Sequence, residues 1–186
     1  AALIEGLEVV PRQRVEYRAV VVEEMDLDAV LKRRPQVAVV DELAHTNAPF
    51  CRNKKRYQDV LELLEAGTNV ICAFNVQHLE SLNEMVKQAT SVVVRETVPD
   101  SILKRADQVV DIDLAVEDLI DRLKAGKIYA PDKVDWALEN FFQPDKLAVL
   151  REIALREVAE SVDRTFTPNA TNGDAGRRSA ARERVL

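Results

Sequence analysis

QVAVVDELAHTN (residues 36–47) decides how this chain is read. Five residues of mostly β-branched and small apolar character stop abruptly at Asp41 and Glu42, and a His, a Thr and an Asn follow. A near-continuous apolar run of this length predicts a strand covered on both faces, as in a parallel sheet. The acids then stand at its carboxyl end, where open α/β sheets bind their ligands. Working outward, extended segments are predicted over 15–23, 36–42, 69–76, 91–97 and 108–112. Helices are predicted between and after them. Asp26 to Arg34 is acidic at its start and basic at its end, and Pro35 stops it. Tyr57, Val60, Leu61 and Leu64 share one helical face, with Gly67 at the C-cap. Leu79, Leu82 and Val86 mark a third helix. Val116, Leu119, Ile120 and Leu123 mark a fourth, ending near Gly126. Val134, Ala137, Leu138 and Phe141 form a fifth behind Pro131, and a last helix runs from about Asp145 to Val162. Strand–helix alternation followed by helices alone predicts an α/β parallel sheet flanked by helices, with a helical C-terminal extension. Residues 1–162 read as one domain. Residues 163–186, small, polar and Arg-rich without periodicity, read as a flexible tail or linker.

The 186 residues carry a formal net charge of −6, which argues against broad nucleic-acid binding. No apolar run approaches the roughly 20 residues that span a bilayer. There is no initiator Met and no signal-peptide pattern, so the segment reads as the middle of a larger protein. Cys51 and Cys72 fit neither a disulfide framework nor a four-ligand zinc site, and a reduced cytoplasmic compartment follows. Both read as packing residues, as do Trp136, Phe141 and Phe142.

An apolar strand closing in Asp-Glu has the form of the Walker B motif of P-loop proteins. There the Asp holds Mg²⁺ directly or through water, and the Glu orients or deprotonates the attacking water. That makes Asp41 the candidate metal ligand and Glu42 the candidate catalytic residue. A solvated strand end explains the same pair. The loop that follows passes through His45, Thr46 and Asn47 into Arg52, Lys54, Lys55 and Arg56, a sensible order of acids for a metal and then cations for phosphate. An exposed basic loop feeding the next helix is the alternative. At the next strand end stand Asn75, Gln77 and His78, placed to read a γ-phosphate or a lytic water. Helix capping by Asn75, with Ser81 and Glu84 as a capping box, is again the alternative. Thr97, Asp100 and Arg105 recur at a third strand end, and Pro99-Asp100 reads as a helix entry. A metal site from His45, His78 and the acids matches no recognised zinc spacing.

Taken in order, VVDELAHTNAP, KRYQDVLELLEAG, NVQHLESLNEMV, RETVPDSILKRADQVVDIDL and RLKAGKIYAPDKVDWALENFF resemble the N-terminal cytoplasmic domain of the KdpD family, over roughly residues 1–160. That family comprises potassium- and osmo-responsive sensor histidine kinases of bacteria. The resemblance implies a P-loop NTPase-like fold that binds ATP and Mg²⁺ and adjusts the kinase and phosphatase activities of the attached sensor. It implies a cytoplasmic segment of an inner-membrane protein, working beside other domains of the same kinase. The response regulator KdpE, which controls potassium-uptake genes, is reached through the kinase core. By position in the motifs, Asp41 serves Mg²⁺, Glu42 positions water, Asn75, Gln77 and His78 sense occupancy, and Arg52 neutralises phosphate.

Two departures qualify this. The family's G-x-x-x-x-G-K-[ST] loop and the strand before it precede the segment that begins here. The only Gly-Lys pair, Gly126-Lys127, lacks the rest of that motif. No kinase-core motif is present either, so the phosphorelay lies outside this chain. The leading expectation is a regulatory nucleotide-binding-type domain lacking its phosphate loop. The second is a non-catalytic interaction module, packing on another chain or on a second copy as a homodimer. The third is a stand-alone hydrolase using Asp41, Glu42 and His45 with a metal.

Overall fold

The structure, a computed structural model, describes residues 5–17 and 20–166, with side chains through residue 160. It is an α/β arrangement in which a small parallel sheet is packed by helices. Strand β1 (Gln13–Tyr17) pairs antiparallel with β2 (Val20–Glu24), Gln13 opposite Glu24. Helix α1 (Leu27–Arg33) leads to β3 (Val37–Val40). Helix α2 (Arg56–Glu65) leads to β4 (Asn69–Cys72), which lies parallel to β3 with Val37 opposite Asn69. Two 3-10 turns, Val76–His78 and Glu80–Leu82, precede α3 (Asn83–Thr90). Then come α4 (Asp100–Leu103), α5 (Val116–Lys124), α6 (Pro131–Asn140) and α7 (Pro144–Phe166).

Local chemistry explains the helices. Asp26 caps α1, its Oδ1 accepting the Ala29 N–H at 2.9 Å, and Arg34 ends it in the left-handed region before Pro35. Gly67, at φ +85°, ends α2, its N–H donating to the Leu64 carbonyl while the Thr68 N–H donates to that of Leu63. The buried face of α2 is turned from the expected one. Val60 and Leu63 are buried and Leu64 is exposed, because β4 and α1 lie on the Leu63 side. Gly126, at φ +67°, ends α5, and Pro131 occupies the first turn of α6.

Three apolar clusters follow. Val40, Val60, Leu63, Leu27, Val30 and Val98 join β3, α2 and α1. Leu79, Leu82, Val86, Leu150 and Ile153 join the 3-10 turns, α3 and α7. Leu123, Ala137, Phe142 and Leu147 join α5, α6 and the start of α7. Phe141 and Phe142 meet edge-to-face at 5.5 Å inside the third. Trp136, expected in a packed contact, is exposed on α6 instead.

The strands depart most from expectation. The single strand expected over 15–23 is a hairpin arm pair. The strands expected over 91–97 and 108–112 are irregular, the nearest pairing being an isolated Leu79–Val98 bridge. The β3–β4 sheet is covered on one face only among the described residues, and Val37, Val39 and Ile71 are exposed on the other. Ladder bonds need a partner strand, and apolar β-formers without one stay irregular. The capping box expected at Ser81 and Glu84 is absent. Leu82 stands at the N-cap of α3, and Ser81 bonds Asp100 instead. Helix α7 runs through Phe166, past the expected start of the tail at residue 163. The rest of that tail lies outside the described residues.

Candidate functional site

The two parallel strands end side by side, and the chain leaves both in the same direction. Past β3 it turns at Asp41 and Glu42, where Glu42 takes φ +53°. A left-handed Glu costs on the order of 1 kcal/mol, so the turn is held by its surroundings. Asp41 Oδ1 accepts the Glu42 N–H at 2.7 Å. Arg56, at the start of α2, donates from Nη1 to the Asp41 carbonyl and to Glu42 Oε2, both at 3.3 Å. Its Nη2 donates to Glu24 Oε2 at 3.2 Å.

Glu24 is the anchor. It is buried at the end of β2, and its carboxylate also accepts the Ala48 N–H at 2.9 Å and meets His45 Nε2 at 3.0 Å. A buried carboxylate persists only when paired and hydrogen-bonded, and Glu24 has both kinds of partner. The antiparallel hairpin is thereby tied to the turn carrying Asp41 and Glu42. Arg56 Nε is buried with no partner among the described residues.

A cleft of about 940 Å³ opens at these strand ends. Asp41, Glu42, His45, Asn75, His78, Glu96 and Arg105 line its polar part, and Val60, Leu64, Ile71 and Phe74 its apolar part. His78 Nδ1 meets the Glu96 carbonyl at 2.8 Å, so it carries the proton and donates. Burial pushes the Glu96 carboxyl up, but the Thr46 N–H and hydroxyl, with His45 and Lys55, outweigh it and hold the group below the ordinary range.

Of the expected site residues, Asp41, Glu42, Asn75 and His78 therefore come together. Gln77 lies between Asn75 and His78 in the 3-10 turn but does not line the cleft. Arg52 stands apart, bonded to Glu62 Oε2 at 2.7 Å and paired with Asp28. Glu24 and Glu96 were not singled out from the sequence, and Arg56 was named only within the basic cluster expected to meet phosphate. Glu24 closes a strand in an acid pair, Glu23-Glu24, as β3 does, and that was the available signal. Both thiols are pushed up by burial, that of Cys72 to about 11, which keeps them neutral and unreactive.

Mg²⁺ takes one or two carboxylates and fills its shell with water and phosphate oxygens. Asp41 fits that role chemically, being exposed with one oxygen engaged by its neighbour's N–H. Among the described residues no group of three or more His, Cys, Asp or Glu side chains is arranged to hold a metal unaided. No helix among them is long and apolar enough to cross a membrane.

Comparison with known proteins agrees with the motif order. The Escherichia coli K12 sensor protein KdpD is 52% identical over 163 residues, 88% of this chain and 18% of that protein. The Mycobacterium tuberculosis H37Rv sensor protein KdpD is 47% identical over all 186 residues, 22% of its length. That of Clostridium acetobutylicum is 47% identical over 162 residues, 87% of this chain and 18% of its length. The chain thus spans about a fifth of the length of these relatives. Residues 1–162, which hold both strand ends and the cleft between them, match the family described as the osmosensitive K+ channel His kinase sensor domain, and the chain belongs to that KdpD family.

Proposed function

We propose that this domain is a cytoplasmic nucleotide-binding regulator within a two-component sensor histidine kinase that controls potassium-uptake genes under potassium limitation or osmotic stress. The observation that carries the reading is the convergence of Asp41, Glu42, Asn75 and His78 on one cleft at the carboxyl ends of two parallel strands. In this reading the β3–β4 pair is part of a P-loop NTPase-like sheet. Asp41 would hold Mg²⁺, which supplies charge neutralisation for the phosphates when bound. Glu42, fixed by Arg56, orients water over the cleft. His78, oriented by the bond from its Nδ1–H to the Glu96 carbonyl, and Asn75 offer a ring and an amide to the ligand. Gln77 reaches the ligand only if its turn rotates. Arg52 is left out of the set, because two acids already hold it. Phosphotransfer to a KdpE-type response regulator belongs to a kinase core outside this chain.

A second reading, an interaction module, is favoured by the bare face of the sheet, where Val37, Val39 and Ile71 are exposed. Parallel sheets are ordinarily covered on both faces. Calorimetric titration of Mg·ATP separates the two. The nucleotide reading expects binding by the chain, or by a polypeptide extended upstream through a phosphate loop, and its loss in Asp41→Ala. No binding by either polypeptide, together with dimers in sedimentation, would replace it with the second reading.

A further inference from the structure

Glu96 lies in the irregular stretch between α3 and α4 and reaches across the cleft mouth to the loop after β3. Its Oε1 accepts the Thr46 N–H at 2.6 Å. The Thr46 hydroxyl and the Lys55 ammonium lie near the same carboxylate and help hold it below the ordinary range. Lys55 is itself placed, with Nζ donating to the Ala44 carbonyl at 2.8 Å and to Thr46 Oγ1 at 3.0 Å. A backbone N–H bonded to an oxyanion, with a hydroxyl and an ammonium bonded to each other close by, supplies the components of an anion pocket. Here the oxyanion comes from the chain itself.

The backbone around Glu96 is tied to the other side of the cleft. Its carbonyl accepts from His78 Nδ1, and the Val98 N–H donates to the His78 carbonyl at 2.7 Å. One residue therefore joins the loop after β3 to the turn after β4. The Thr46–Glu96 bond is solvent-exposed, so another anion can reach the Thr46 N–H from water.

We propose that the Thr46–Lys55 corner is a subsite for a phosphate group, which Glu96 fills when no ligand is bound. Thr46 and Lys55 stand beside the cleft rather than in its lining, and a phosphate reaching its mouth takes the Thr46 N–H and the Lys55 ammonium and releases the 91–98 stretch from the loop after β3. The identity of the ligand as a nucleotide rests on the reading above; the chemistry of the corner does not.

An internal competitor lowers apparent affinity by the fraction of time it occupies the site. Glu96→Gln keeps the shape and removes the charge, so it tightens phosphate binding by about three- to tenfold. The test titrates inorganic pyrophosphate without metal, and separately Mg·ATP, into the wild-type chain, Glu96→Gln and Lys55→Met, following the Thr46 amide by NMR. Pyrophosphate is expected to move that amide, to bind Glu96→Gln more tightly than wild type and to bind Lys55→Met more weakly. Equal or weaker pyrophosphate binding by Glu96→Gln overturns the subsite, as does tighter binding that leaves the Thr46 amide unmoved. Mg·ATP bound equally by wild type and Glu96→Gln overturns the subsite and leaves the nucleotide reading standing. Pyrophosphate at Thr46 with no response to Mg·ATP, either in these chains or in the polypeptide extended upstream through a phosphate loop, keeps the subsite and overturns that reading. No binding of either probe to any of the three chains overturns the subsite, and overturns the nucleotide reading too if the extended polypeptide also fails to bind Mg·ATP. Should Glu96→Gln not fold, the wild-type chain decides alone. Saturating pyrophosphate should return the Glu96 carboxyl toward its ordinary 4.5, and an unchanged carboxyl overturns the subsite.

Discussion

Asp59 and Asn47 show how one buried carboxylate can set a pH dependence. Asp59 projects from α2 into the loop that follows the candidate site, and it is buried. Its Oδ2 accepts from Asn47 Nδ2 at 2.7 Å and its Oδ1 from Asn53 Nδ2 at 2.9 Å. Both donors are neutral, and no cation lies within salt-bridge distance among the described residues. Burial pushes the Asp59 carboxyl above its ordinary 3.8, and the two amides and Arg56 only partly offset that. The folded state thus holds its proton to higher pH than the unfolded state. Between the two values the unfolded chain binds fewer protons, so stability falls as pH rises through this window. Glu62, held below the ordinary range by Asn53 and Arg52, works in the opposite direction, its contribution being lost as pH falls. Asp59→Asn removes the first effect and leaves the second. The variant should therefore gain on wild type, by urea unfolding, as pH rises above the ordinary carboxyl value of 3.8. Parallel pH profiles would place the protonated carboxyl elsewhere. The substitution also offers Asn47 a partner, since its Oδ1 is buried and unbonded among the described residues.

At the scale of elements, β3 and α2 meet across one face of the sheet, and their side chains divide sharply by direction. Leu63 is fully buried, whereas Val39 is 72% exposed. Leu63→Ala should cost about 2–5 kcal/mol, the range for a core leucine that leaves a cavity. Val39→Thr should stay within about 0.5 kcal/mol, the range for a surface change. Chemical denaturation of the isolated chain measures both, and a Val39→Thr cost well above that range would mean that the bare face is covered in solution. The same contrast explains what could be read in advance. Helices α1, α5 and α6 were legible because capping and i, i+3, i+4 spacing act within a dozen residues. The stretches 91–97 and 108–112 carry strand composition, but a strand exists only with a partner at its edge, which local pattern does not supply. The site divides likewise. Asp41, Glu42, Asn75 and His78 were legible as residues just past the ends of apolar runs. The partners that fix them were not, for His45 meets Glu24 across 21 positions and Thr46 meets Glu96 across 50.

Across the whole molecule, the three apolar clusters share few side chains, and α7 is the element that joins the second to the third. Leu147 packs in the cluster with α5 and α6, one turn before Leu150 and Ile153 pack on Leu79, Leu82 and Val86. The first cluster, under β3 and α2, touches the second through Phe74, which borders both. A chain built this way opens in parts rather than all at once, with free energies that follow the clusters. Ile153→Ala removes a buried side chain from the second cluster alone and should cost about 2–4 kcal/mol. Native-state hydrogen exchange then expects faster exchange of the α3 amides, Asn83 to Thr90, because α3 packs against α7 there. The amides of α2 and β4 should keep their protection, since their core lies on the far side of Phe74. If all amides lost protection equally, the chain would be one cooperative unit. The cleft at the strand ends would then be held by the C-terminal helices as firmly as by the sheet. If α3 alone loosens, the turn holding Asn75 and His78 can shift against the turn holding Asp41 and Glu42, and the cleft lies across the boundary between the first and second clusters.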